Sequence, residues 1–555
     1  MKLTELSLQR YFPWLLATGI LLNMPGLWLD VMEPDGALYA TIAKHIVLHN
    51  DWVNLFGDGH DWLDKPHFPF WMAAISYKIL GINGFSYKLP AFLFWLLSLF
   101  YTYVTARDLF NSTVAKISLL LYTVALHSTL ANFDVRAEPY LTACTIAAIW
   151  HMLNIYKGKH WLHIVAAAFF IACAVMTKGI FILITIGSGW FIFLVITKQW
   201  KQFLNYRWWV MMGLSFVFIL PELYSLYVQF DLHPEKIVFG RTNVSGLRFF
   251  FWDSQFGRFF NTGPIKGSGD LSFFLHTTLW AFLPWSAGLV GGLVYLFRYE
   301  KDTNSSRWIL YGSTLVTFLL FSLSKFQLPH YIVIEFPYFA IITAYFLYQK
   351  ANDPVLNWFA GIQSGLLYIL CGLILYLFYI TNIQNAWIGA VLAVSIAIIS
   401  ALFKDKIVLR KILFRGYATA LMLYIFLFVF FYPFLLQYQS GASAAKMISQ
   451  NDDDVPVASY HSFSYAFEFY APAGVNLIKT TDQLDDFIDK NPCYLYTSAA
   501  VGDSLIRSGI DAEIVSSSQN FHITKLKMGF LDHKKRGKSL ETRYLLYIND
   551  ESVLD

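Results

Sequence analysis

Charge is scarce in this chain: Lys, Arg, Asp and Glu make up 14% of its 555 residues, while hydrophobic residues make up 56%. A soluble globular domain carries about 25% charged residues, so that class is excluded and a polytopic membrane protein is indicated. Long basic runs are also missing. The formal net charge of +4 is small and scattered, which excludes a nucleic-acid-binding surface. Cysteine is rare, at four residues, and Cys144, Cys173, Cys371 and Cys493 have no metal-ligand spacing. With three of them inside apolar runs, no disulfide framework is implied. The N-terminus "MKLTELSLQRYFPWLLATGILLNMPGLWLD" lacks a small-residue cleavage site, so it reads as an uncleaved first span and not as a signal peptide.

Apolar runs are what the chain has in abundance. Windows of roughly 17–25 residues, the length that crosses a bilayer as helix, number about thirteen. They fall at 11–31, 86–106, 113–131, 138–156, 161–176, 178–197, 208–230, 271–297, 308–324, 327–349, 356–380, 386–403 and 413–437. Lysine and arginine concentrate in alternate connections such as "RDLFNSTVAK", "KGKH", "KQWKQFLNYR", "RYEKDTNSSR" and "KDKIVLRKILFR", whereas "TNIQNA" is uncharged. Basic loops stay cytoplasmic, so the N-terminus is expected inside. An odd number of spans then puts residues 438–555 on the outer face, with two long loops at about 32–85 and 231–270. The expected organisation is a membrane domain over 1–437 and a soluble domain over 438–555. The latter reads as small α/β: strands at "VPVASYH", "CYLYTS" and "RYLLYIN", helices near "TTDQLDDFIDK" and "SAAVGDSLIRSG". Such a domain could recognise an acceptor or cap the long loops.

Ionisable groups gather on that outer face. Glu33 and Asp35 follow the first span; Asp64 and Lys65 stand in "GHDWLDKPHFPFW"; Asp134, Arg136 and Glu138 in "NFDVRAEPYL"; Lys178 in "TKG"; Lys325 in "SKFQLPHY". Charge at membrane depth is costly and by default suggests a functional site, although acids also mark the interface and each lysine alone could be snorkelling. Together they suit a phosphate-linked lipid substrate: Lys65, Lys178 and Lys325 for the phosphate, and Asp35 as the base that deprotonates an attacking hydroxyl or amine. Glu138 and Asp64 would orient these groups or, as an alternative, hold a divalent metal; no cofactor is required and no metal is indicated. Glu33 reads as an interfacial carboxylate.

The motif series "PDGALYATIAKHI", "DWLDKPHFPFWMAAISYKILG", "RAEPYLTA", "MTKG", "FGRFFNTGPIKGSGDLSFFLHTTLWAFLPWS" and "SKFQLPHYIVIEFPYFAI" resembles the ArnT and protein O-mannosyltransferase group of GT-C glycosyltransferases, over most of residues 10–350. The resemblance implies a GT-C fold and an inverting transferase that takes a sugar from a polyprenyl-phosphate donor to a lipid, glycan or protein acceptor on the outer face of a bacterial inner membrane. Where the family reads D-E-x-R-Y-A, this chain has Asp35-Gly36-Ala37-Leu38-Tyr39-Ala40, which keeps the first acid and the tyrosine but not the second acid or the arginine. The family's E-K-P-P becomes Asp64-Lys65-Pro66-His67. By the same resemblance Glu138 in Arg136-Ala137-Glu138 is the second-loop acid, Arg258 joins the donor-phosphate site, Lys266 takes a place where relatives carry histidine, and Lys325, Pro329 and Tyr331 fit K-x-x-L-P-x-Y. The segment "HFPFWMAAISYKILG" would form an amphipathic interfacial helix. A transporter or a lipid-binding membrane protein is the alternative, but its charges belong near mid-membrane between inverted repeats.

A reporter fused after Asp555 is expected to be active only outside the cytoplasm, and one fused within "KDKIVLRK" only inside. Cytoplasmic activity of the first fusion would put every site residue on the wrong face.

Overall fold

The chain forms a helical bundle with a small sheet domain at one end, in a computed structural model that describes residues 2–302, 305–351, 353–451, 455–472, 474–488 and 492–549. Among the described residues, five helices are long and apolar enough to cross a membrane: Gly84–Leu109, Tyr206–Asp231, Pro329–Gln349, Val355–Thr381 and Val408–Leu436. Lipid offers backbone groups no hydrogen bonds, so helices that satisfy their own are the stable solution. In Tyr206–Asp231 and Val355–Thr381 only 28% of the apolar window is buried, so most of their hydrophobic surface faces outward, where a bilayer would cover it. Pro329–Gln349 is 89% buried and runs through the bundle interior.

Two apolar runs depart from single straight spans. The run at 113–131 is a pair of helices, Ser112–Thr123 and Leu126–Phe133, bent by 54°. The run at 271–297 is broken into Phe273–Ala281 and Ser286–Tyr299; Pro284 lies in the break, where its missing N–H and its ring would disrupt a continuous helix.

The first long loop folds as a helix (Asp35–His49), a two-rung hairpin pairing Phe56–Gly57 with His60–Asp61, and a second helix (Phe68–Leu80). The second helix buries Phe68, Phe70, Ala73 and Tyr77 and leaves Ile75 and Ile79 exposed, the two-faced pattern expected of "HFPFWMAAISYKILG". In the C-terminal region five strands lie in the order Val475–Ile478, Val457–Tyr460, Cys493–Ser498, Glu541–Ile548, Ala512–Asn520. The first three run parallel; Glu541–Ile548 is antiparallel to Cys493–Ser498, with Leu495 opposite Leu546. Ala512–Asn520, rich in serine, is a half-exposed edge strand, which explains why it carries no apolar strand pattern.

One short helix, Tyr465–Tyr470, ties the two regions together. Glu33 Oε1 accepts hydrogen bonds from Ala466 N (2.7 Å) and Ser464 Oγ (2.6 Å) at its N-terminal end. At its C-terminal end Lys44 Nζ donates to the carbonyls of Glu468 (2.9 Å), Phe469 (3.2 Å) and Ala471 (2.6 Å). An anion at the start of a helix and a cation at its end both complement the helix dipole. Glu33 is therefore not simply an interfacial carboxylate: it and Lys44, from the first loop, clamp a helix of the C-terminal region. Around them Gln439 bonds to Glu33 N (2.9 Å) and Val31 O (2.8 Å), Tyr470 bonds to Val31 N (2.9 Å), and Lys446 pairs with Asp30.

The clamp makes a pH prediction. Burial raises the Glu468 carboxyl to about 7 against the pull of Lys44, whereas an unfolded glutamate titrates near 4.3. Its folded pKa is the higher, so its stabilisation is complete below the unfolded value and is lost as pH rises through about 7. His45, pushed down by burial, acts in the opposite sense over part of that window, so the readout is the difference between wild type and Glu468→Gln. Between pH 4.5 and 8 wild type should lose on the order of 2 kcal/mol relative to the variant; parallel thermal-melting profiles of the two would refute it.

Candidate active site

Asp35 opens the helix Asp35–His49, its carboxylate ion-paired with Arg136 and 42% exposed. Arg136 Nε also bonds Asp134 Oδ2 at 2.5 Å. Gly36 lets these segments meet: a Cβ there would lie 3.1 Å from Asp134 O and 3.2 Å from Asp134 Oδ1. Between the two charged residues Val135 holds φ +48°, a conformation that a β-branched residue adopts only under constraint. Burial raises the Asp134 carboxyl against the pull of Arg136. For Arg136, burial opposes the charge, but Asp134 and Asp35 outweigh it and the guanidinium is held cationic.

A second set stands beside it. Lys65 Nζ bonds Asp64 Oδ2 at 2.7 Å, and Arg258 pairs with the other Asp64 oxygen. Burial alone would raise Asp64, yet Lys65 and Arg258 together hold it at about 2; burial in turn lowers the Lys65 ammonium against the pull of Asp64. Lys178 Nζ lies 2.6 Å from Glu138 Oε1 and 3.4 Å from the centre of the Tyr331 ring. Four cations, Lys65, Arg136, Lys178 and Arg258, thus meet four carboxylates, Asp35, Asp64, Asp134 and Glu138.

These groups open onto two cavities. The larger, about 1000 Å³ including the space at its open mouth, combines Asp64, Lys65, Lys178 and Arg258 with apolar walls that include Phe181, Phe250, Phe321 and Phe326. The smaller, about 360 Å³, is lined by Tyr39, Lys65, Val135, Arg136 and Tyr140. Lys65 faces both, and Asp35 reaches the rim of the smaller through Arg136. Tyr39 packs edge-on against Trp62 and Phe70. Of the residues anticipated from the sequence, Lys266 and Lys325 are not brought in: both are exposed and neither lines either of these two cavities. The Lys325 backbone instead packs on the second loop, its N–H bonding Phe259 O at 3.1 Å, while Gly269 lies against its carbonyl.

Several supporting residues carry no motif. Glu222 accepts from His67 N at 3.0 Å and meets His67 Nδ1 at 3.1 Å, while His67 Nε2 is 2.9 Å from Val53 O. The histidine that replaces a proline after Lys65 therefore fixes the loop to the helix Tyr206–Leu226. Gln255 bonds Lys178 O (3.2 Å) and Phe181 N (3.4 Å). A glutamine within an aromatic run, it offered no signal in the sequence.

Comparison with known proteins gives first a class. The profile of the family described as dolichyl-phosphate-mannose-protein mannosyltransferase matches residues 64–224, the stretch that holds Asp64, Lys65, Arg136, Glu138 and Lys178. Over that stretch the chain is similar to this family. Among particular proteins, an undecaprenyl phosphate-α-4-amino-4-deoxy-L-arabinose arabinosyl transferase of Pseudomonas aeruginosa is 25% identical over 378 residues, 65% of this chain and 64% of that one. An uncharacterised protein of Aquifex aeolicus is 26% identical over 336 residues, 59% of this chain and 62% of that one. The chain thus spans just under two thirds of the length of these relatives. The crystal structure of ArnT from Cupriavidus metallidurans bound to undecaprenyl phosphate superposes with a TM-score of 0.76 at 16% identity, covering 98% of this chain and 99% of that one. The likeness fixes the fold.

The glycine of "TKG" is testable. Gly179 ends the helix Leu162–Lys178 with φ +94°, and a Cβ there would fall 2.1 Å from Gln255 Nε2. Gly179→Ala should destabilise the protein by about 1–3 kcal/mol. Adding Gln255→Ala should relieve the steric part but not the backbone part, so a double variant that melts like wild type would refute the φ argument.

Proposed function

We propose that this chain is an inverting membrane glycosyltransferase that moves a sugar from a polyprenyl-phosphate donor to a lipid, glycan or protein acceptor on the outer face of a bacterial inner membrane. The observation that carries it is the larger cavity, where Lys65, Lys178 and Arg258 stand against an aromatic wall: one chamber for a phosphate and for the lipid attached to it. Each lysine ammonium has three donors, so a phosphate oxygen can join the carboxylate already held. The ArnT-like fold and the name of the Pseudomonas relative support the same reading. The membrane part is assigned about thirteen spans over residues 1–437, with the N-terminus cytoplasmic and residues 438–555 outside.

In the reaction Asp35 takes the proton of the acceptor hydroxyl or amine as its oxygen or nitrogen bonds the anomeric carbon. The bond from that carbon to the phosphate oxygen breaks, and the electron pair leaves with the phosphate, whose growing charge Lys65, Lys178 and Arg258 stabilise. A single displacement inverts the anomeric carbon. Since the donor bond supplies the driving force, this reaction calls for no resident cofactor. Arg136 holds the Asp35 carboxylate in place until the acceptor arrives.

Asp35→Asn should lower single-turnover transfer from a labelled polyprenyl-phosphate sugar at least ~10²-fold while donor binding persists; near-normal transfer would end the base assignment. Lys65→Ala and Lys178→Ala should each weaken donor use about tenfold to a hundredfold, the worth of one charged contact. Unchanged donor dependence in both would remove the phosphate site.

A further inference from the structure

The C-terminal region divides its charge sharply. Residues 440–520 contain eleven acidic and four basic side chains, whereas residues 521–540, "FHITKLKMGFLDHKKRGKSL", contain six basic and one acidic. Lys525, Lys527, Lys534, Lys535 and Lys538 are all exposed. Among them two apolar side chains also face outward, Leu526 at 41% and Met528 at 59% exposure.

The inner side of this segment is firmly held. Phe521 and Phe530 stack with ring centres 3.9 Å apart, and Phe530 packs against Phe434 and Tyr438. Arg536 lies over the Phe434 ring (4.6 Å) and donates to Phe530 O (2.9 Å) and Thr381 O (2.6 Å). The backbone N–H of His533 donates to Ile380 O at 2.9 Å. Ile380 and Thr381 are the last residues of Val355–Thr381, one of the helices long enough to span a bilayer. Tyr379 just before this end and Trp387 just after it are 77% and 69% exposed, and aromatic residues of this kind settle where hydrocarbon meets headgroup. The basic segment is therefore tied to the terminal carbonyls of a helix long and apolar enough to span a bilayer.

We infer that residues 521–540 form a membrane-surface site that binds the phosphate-bearing headgroups of anionic lipids in the leaflet at this end of Val355–Thr381. Leu526 and Met528 dip into the top of the acyl region, as apolar residues of interfacial segments do, and the five lysines reach the phosphates beside them. The acidic remainder of the region is repelled by the same surface, which gives the attraction a direction as well as a strength. The inference rests on Val355–Thr381 crossing the bilayer and not on the proposed sugar transfer.

The test uses the full chain in lipid nanodiscs. A spin label at Met528→Cys, readable because the four native cysteines are buried, should be shielded from a water-soluble nickel relaxer and open to oxygen in discs containing phosphatidylglycerol. It should be less so in pure phosphatidylcholine. A water-exposed label in both overturns the inference, whatever other ligand the lysines take. Separately, native mass spectrometry should show phosphatidylglycerol retained over phosphatidylcholine, with each lysine worth on the order of fivefold. Replacing Lys525, Lys527, Lys534, Lys535 and Lys538 together by Gln should abolish that preference, and a preference unchanged in a folded variant also overturns the inference. Should that variant fail to fold, the Met528→Cys label, which keeps all five lysines, decides alone.

Discussion

A charge at the edge of a hydrocarbon layer needs a counter-charge, and the whole site is arranged around that requirement. Removing one partner of a buried pair costs far more than the pair contributes, so Lys65, Arg258 and Asp64, Lys178 and Glu138, and Arg136 with Asp35 and Asp134 stand or fall as sets. The residues of each set come from different segments: the first loop, the turn before Glu138, the end of Leu162–Lys178 and the second loop. Satisfying the charges therefore fixes how the outer ends of the helices meet. In the proposed reaction the same groups bind substrate, since a phosphate entering the larger cavity must share cations that carboxylates already engage.

The first loop is stretched between two duties. Asp35 belongs to the site, while Glu33, two residues earlier, and Lys44, nine residues later, hold the two ends of Tyr465–Tyr470. Because Asp35–His49 is one continuous helix, Asp35 and Lys44 are carried by the same element. The C-terminal region is thus a cap on the first loop, one of the two roles its composition left open.

Much of this was legible in the chain because charge inside apolar sequence is conspicuous. Asp35, Asp64, Lys65, Arg136, Glu138 and Lys178 stand out for that reason, and the structure gathers them. Lys325 has the same signature, yet close packing of its backbone against Gly269 leaves the side chain outside the cavity; a motif marks a turn as well as a ligand. Glu33 was misjudged because its partners lie 431 and 433 residues away, beyond any local pattern. Gln255 and Glu222 serve as props to other residues, and Ala512–Asn520 is a polar edge strand; neither role leaves a periodic trace. The break near Pro284 was hidden by hydropathy, which registers apolar length but not continuity of the backbone.

The clamp also imposes an order on biosynthesis. The ribosome delivers Glu33 and Lys44 early, but their ties are to Ser464, Ala466 and the carbonyls of Glu468, Phe469 and Ala471, made more than four hundred residues later. Asp35, Asp64 and His67 find Arg136, Arg258 and Glu222 earlier in synthesis, but through most of translation Glu33 and Lys44 have nothing to close on. The contacts that close on Glu33 and Lys44 are therefore complete only once the last hundred or so residues have been made and folded, so a chain cut short before Ser464 would leave the Glu33 carboxylate and the Lys44 ammonium without these partners.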